Sequence, residues 1–142
     1  MTRQCRERER GSTSLEAAVI TPALLTLLAL IIVGGRFAIA HQAVESAAAE
    51  AARSASISRT QGAASSNAEA AAWAALANEG LHCTSRSVAV DTSGFASPAG
   101  TPANVTATVT CVVDIAGLSL PGLGSRTITK TMTSALDTYR ER

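Results

Sequence analysis

The feature that most constrains this chain is a run of nineteen residues, 17–35, with no charged side chain. As a helix it spans about 28 Å, at roughly 1.5 Å per residue. That nearly matches a bilayer hydrocarbon core of about 30 Å. Its ten Leu, Ile and Val residues favour insertion by roughly 3–6 kcal/mol in total. Glu16, at the mouth of the run, would cost about 2.5–3.5 kcal/mol at the bilayer centre, and less at the edge where it sits. The run therefore predicts a single transmembrane helix. Arg3, Arg6, Arg8 and Arg10 precede it and Arg36 alone closes it. The positive-inside rule then holds the N-terminus in the cytoplasm and sends residues 37–142 across the membrane. Pro22 falls inside the run and denies the Ala18 carbonyl its helical partner, which predicts a kink there.

The helical pattern continues past the membrane. Phe37, Ala40, Val44, Ala47, Ala48, Ala51, Ala52 and Ala55 recur at spacings of three and four, so one helix is expected from about residue 13 to about residue 57. Its alanine face suits close backbone approach. Two uses of that face stay open over residues 43–57: contact with neighbouring subunits, or packing onto the chain's own domain. Gly62 and a polar run interrupt the pattern. A second helix is expected over residues 66–79 with Gly80 as its stop.

Beyond residue 81 the character changes. β-Branched residues alternate or cluster at 87–91, 105–115 and 126–133, predicting three antiparallel strands packed on helix. Gly94, Pro98, Gly100 and Pro102 mark 92–103 as a loop. The connection 118–124 is apolar for its place and would cap the small core or present a contact surface. The expected fold is α+β: a long N-terminal transmembrane helix leading into a small head, with a second helix and a three-stranded antiparallel sheet. Its regions are a basic leader, 1–11; the membrane helix, 12–35; alanine-rich extracytoplasmic helices, 36–80; and a β-rich head, 81–142.

Cys83 and Cys111 both fall on the exported side, where thiols oxidise, while Cys5 lies in the leader. A Cys83–Cys111 disulfide is expected to tie the end of the second helix to the central strand. That matters in a head whose chain holds only Phe37, Trp73, Phe95 and Tyr139 as aromatics. His82, His41 and Cys111 lack any CxxC or HxxxH spacing, so no metal site is expected. No nucleophile elbow, phosphate-binding glycine loop or HExxH occurs, and neither catalytic residues nor a cofactor or small-molecule substrate is predicted. The formal net charge is +1, and a phosphate backbone needs a clustered cationic face. Nucleic acid is not an expected partner. The leader carries four of the twelve basic and two of the eleven acidic side chains, so its removal leaves eight against nine.

The stretch Arg10-Gly-Ser-Thr-Ser-Leu-Glu-Ala-Ala-Val-Ile-Thr-Pro-Ala-Leu-Leu resembles the start of TadE-like minor pilins, the pseudopilins of tight-adherence (Flp-type IV) pilus systems. Gly11, Glu16 and Pro22 match that family's glycine, glutamate and proline in position. The resemblance implies cleavage between Gly11 and Ser12 by a membrane prepilin peptidase. It also implies that Glu16 guides subunit docking, with the Tad secretion platform and other pilin subunits as partners. Ala17 stands where major Flp pilins tend to carry tyrosine, and the chain is longer than a major pilin. Both features favour a minor or accessory subunit of the inner membrane or cell-surface pilus. Two alternatives remain. Ala38-Ile39-Ala40 offers a signal-peptidase cut before His41, giving a free exported binding domain. Alternatively, an uncleaved span would anchor such a domain.

Overall fold

The computed structural model describes residues 4–98, 100–114 and 124–137, with side chains from Glu16 onward. The apolar connection expected at 118–124 lies outside the described residues, apart from Gly124. Helix α1 runs Gln4–Ser56 and α2 runs Gln61–Asn78. They are followed by β1 (Cys83–Asp91), a short 3-10 turn (Ser93–Ala96), β2 (Asn104–Asp114) and β3 (Ser125–Ala135). The strands form one antiparallel sheet in the order β1-β2-β3. The fold is α+β. It divides into two compact units, residues 1–38 and residues 39–142.

The first unit is helix. Its apolar side chains are exposed from Val19 through Ile32. Thr21 donates to the Ala17 carbonyl at 2.7 Å, and Thr26 donates to the Pro22 carbonyl at 2.7 Å. Both hydroxyls are thus satisfied within the helix, as a lipid-facing segment requires. Pro22 stands inside α1, which is unbroken there.

The second unit is two layers, helices on one face of the sheet. Ala40, Ala43, Val44, Ala47, Ala48, Ala51, Ala52 and Ala55 of α1 are buried, as are Ala64, Ala68, Ala72 and Leu76 of α2. The spacing of four along α2 places its buried residues on one stripe. Alanine at nearly every one of these positions keeps the side-chain layer thin. Val105, Ala107, Val109, Cys111 and Val113 of β2, with Ile128 of β3, complete the same core. The alanine face of residues 43–55 therefore packs onto its own domain, in one core with α2 and the strands.

Helix α2 starts five residues earlier than its apolar pattern predicts. Thr60 caps it by accepting from the Ala63 N–H at 3.2 Å, and Ser65 and Ser66 turn their hydroxyls back to helical carbonyls. A polar first turn looks like loop in sequence but is ordinary helix start once capped. The C-terminus is a Schellman motif: Leu81 donates to the Leu76 carbonyl and Gly80 to that of Ala77. Gly80 takes φ +65°, a left-handed conformation that favours glycine.

The 92–103 loop holds the Ser93–Ala96 turn, which buries Phe95. A side chain at Gly94 would overlap the Asn104 carbonyl oxygen, with Leu136 Cδ1 3.0 Å away, so backbone passes backbone there without room for a Cβ. Strand β1 also begins earlier than expected, at Cys83 rather than residue 87, because Cys83, Ser85 and Arg86 pair with β2 despite the polarity of this stretch.

Candidate functional site: the N-terminal segment and the surfaces of the head

Gly11 and Ser12 fall within the span of α1, and the Ser12 side chain lies outside the described residues. Glu16 and Pro22 lie on the same helix, with Glu16 exposed. Glu16 makes no ion pair among the described residues. Among the described residues one helix is long and apolar enough to cross a membrane, and it lies near the N-terminus. It fits a single-pass anchor.

In the head, Cys83 and Cys111 are joined by a disulfide, Cα–Cα 5.4 Å. Its formation depends on a register irregularity. Ser85 pairs with Val112 and Cys83 with Val113, leaving Thr84 as the extra residue of a bulge. In an unbroken strand, Cys83 and Arg86 would point to opposite faces. The inserted residue restores Cys83 to the face that carries Arg86, Cys111 and Val113. Thr84 donates its hydroxyl to the Val112 carbonyl at 3.0 Å, which holds the bulge in place.

Both outer strands carry a cation on the helix-facing side. Arg86, opposite Cys111, lies over the Trp73 ring of α2 with 4.4 Å from guanidinium to centroid. Trp73 in turn donates to Glu69 at 3.3 Å. Lys130, opposite Val109, pairs with Glu45 of α1 at 3.0 Å. Ser134 and Ser56 share a hydrogen bond of 3.0 Å between β3 and α1.

On the opposite face of the sheet, β2 and β3 present threonines to one another. Thr106 and Thr133, Thr108 and Thr131, and Thr110 and Thr129 share hydroxyl hydrogen bonds of 3.1, 2.9 and 3.2 Å. Their spacing of two is visible in the sequence; that the ranks of β2 and β3 face one another needs the register. At the end of β1, Asp91 accepts from the Ser93 backbone N–H at 2.9 Å. This bond, with a further one from the Ser93 side chain, lowers the Asp91 pKa.

Among the described residues no three His, Cys, Asp or Glu side chains converge to hold a metal ion. His82 is exposed, next to a cysteine already committed to the disulfide.

A long apolar N-terminal helix followed by a small α+β head fits the class of singly anchored proteins that carry one small domain. Within it, the N-terminal segment is TadE-like: the family model described as TadE-like protein matches residues 11–53. The match is consistent with a TadE-like protein of Tad pilus systems, a structural, pilus-associated family whose setting is membrane-associated pilus machinery. No curated protein and no solved structure gives a significant match.

Proposed function

We propose that the chain is a minor pilin, or pseudopilin, of a Tad/Flp-type pilus. In this reading a prepilin peptidase cuts between Gly11 and Ser12, and the mature subunit joins or supports the growing pilus. The observation that carries it is where the family match begins: at residue 11, so that Gly11, Glu16, Pro22 and the apolar run all fall inside it. Cutting there removes the four leader arginines and makes Glu16 the fifth residue of the new chain, its carboxylate held against the apolar run. A carboxylate in that position is stabilised by a cation, and the amino terminus of an adjacent subunit supplies one. The head stands outside the membrane with the N-terminus inside, held together by the Cys83–Cys111 disulfide of an oxidising compartment.

A second reading draws on a different observation. The compact head unit begins at Ile39, close to the small-x-small triplet that ends at Ala40. A signal-peptidase cut before His41 would free nearly all of that unit as an exported binding domain.

The mature N-terminus, read by mass spectrometry of membrane and surface fractions, tests both. Ser12 at the terminus is the expected result. A start at His41 establishes the exported domain instead, and an intact Met1 or Thr2 leaves an uncleaved anchor and overturns the pilin reading.

A further inference from the structure

A three-stranded sheet has two outer edges, and among the described residues neither β1 nor β3 pairs with anything beyond β2. Each edge is about nine to eleven residues long and rich in β-formers, including the run Thr127-Ile-Thr-Lys-Thr-Met-Thr133. Such an edge presents unpaired N–H and C=O groups and is a template for strand addition by another chain. Chains of the same sequence concentrated in one membrane face that hazard most directly.

Both edges carry the same device. Near the middle of β1, Arg86 turns to the helix-facing side and rests on Trp73. Near the middle of β3, Lys130 does the same and meets Glu45. Their strand neighbours on β2, Cys111 and Val109, are fully buried. Arg86 is exposed and Lys130 partly so, and a strand added at either edge would take water from the inward-facing cation. The cost of desolvating that charge opposes what the added backbone bonds return.

We propose that Arg86 and Lys130 are edge guards that prevent a second copy of this chain from adding to the sheet, so that contacts between subunits are made by other surfaces. The guard is the inward charge itself. The ion pair to Glu45 is secondary, since it is half-exposed and such pairs are weak. The inference does not depend on cleavage at Gly11.

The test uses the full chain in non-ionic detergent micelles, following amide hydrogen exchange along β1 and β3 together with sedimentation. Exchange locates association on the sheet and separates it from association through α1. Wild type should exchange freely at the outward amides of both edges. Lys130→Thr combined with Arg86→Thr should lose that exchange and form larger species as concentration rises. Glu45→Ala, which breaks the ion pair but keeps the lysine, should behave as wild type.

The proposal is overturned if the double variant, with Cys83–Cys111 still oxidised, keeps wild-type exchange at both edges. It is overturned equally if wild-type edges are already protected, or if Glu45→Ala associates as the double variant does. Should the double variant not fold, Lys130→Thr alone, read at β3, gives the same two outcomes.

Discussion

Cys83 and Cys111 meet because Thr84 is an extra residue in β1: without that bulge the two sulfurs would leave the sheet on opposite faces. Deleting Thr84 should therefore abolish the disulfide while leaving both cysteines in the chain. Alkylation followed by peptide mass spectrometry should find both thiols free in the deletion variant and neither in wild type. A disulfide that still forms would mean that the strand shifts register as a whole. Replacing both cysteines by serine should cost about 3–4 kcal/mol for a loop of 28 residues, on the chain-entropy model. Chemical denaturation of the oxidised and the substituted chain measures the difference.

The alanine packing makes a second prediction. Ala48 and Ala68 are completely buried, one on each helix, and a larger side chain at either position has to push the layers apart. Ala48→Leu or Ala68→Leu should destabilise the head by about 1–3 kcal/mol. Ala70→Leu, on the exposed side of α2, should stay within about 0.5 kcal/mol of wild type. Thermal melts followed by circular dichroism compare the three. If Ala48→Leu is as mild as Ala70→Leu, the helices are not held at alanine distance.

On the proposed reading, processing depends on Gly11 and docking on Glu16, and the two can be tested apart. Gly11→Leu is expected to accumulate as full-length precursor, seen as a larger band on a gel of the membrane fraction. Normal cutting of that variant would remove the glycine from the recognition signal. Glu16→Ala is expected to be cut as wild type but to incorporate several-fold less into sheared pili. Equal incorporation would reduce Glu16 to an acidic residue favoured by the start of a helix.

Acid should loosen the end of β1. The Asp91 carboxylate accepts from Ser93, chiefly from its backbone N–H, and its pKa in the fold lies below the ordinary value of 3.8. A depressed folded pKa means that this contribution is complete above the unfolded pKa and is lost as pH falls through the folded one. The Asp91→Asn variant, unable to ionise, should lose that part of the pH dependence below about pH 4. NMR titration of the Ser93 amide in wild type should report the same step; an amide shift that stays flat to pH 2 would contradict the bond.

Much of this architecture was legible from local pattern. The uncharged run of residues 17–35 can only be satisfied as a helix in lipid or in a core, and a chain with four aromatic residues has little core to hide it in. Threonine alternating with apolar residues along 105–111 declares a strand with one face buried. Where sequence reading went short, the missing signal was tertiary. The first turn of α2 and the first residues of β1 are polar, and their structure follows from a cap and from pairing with β2. The alanine face of residues 43–55 read equally well as an intersubunit surface. Only packing against Ala64, Ala68 and the sheet decided it.

Taken alone, then, the sequence determined the long apolar helix, the order of helices and strands, and the N-terminal pattern shared with TadE-like proteins. Each of these depends on residues close together in the chain, through hydrophobic run length and periodicity. The tertiary structure decided what depends on registers between distant segments. It placed the Thr84 bulge that brings Cys83 to Cys111, aligned the threonine ranks of β2 and β3, and set Arg86 on Trp73 and Lys130 beside Glu45. Those pairings join residues as many as 85 positions apart. A one-residue slip would reverse the face on which each strand side chain sits, and no local pattern records that choice.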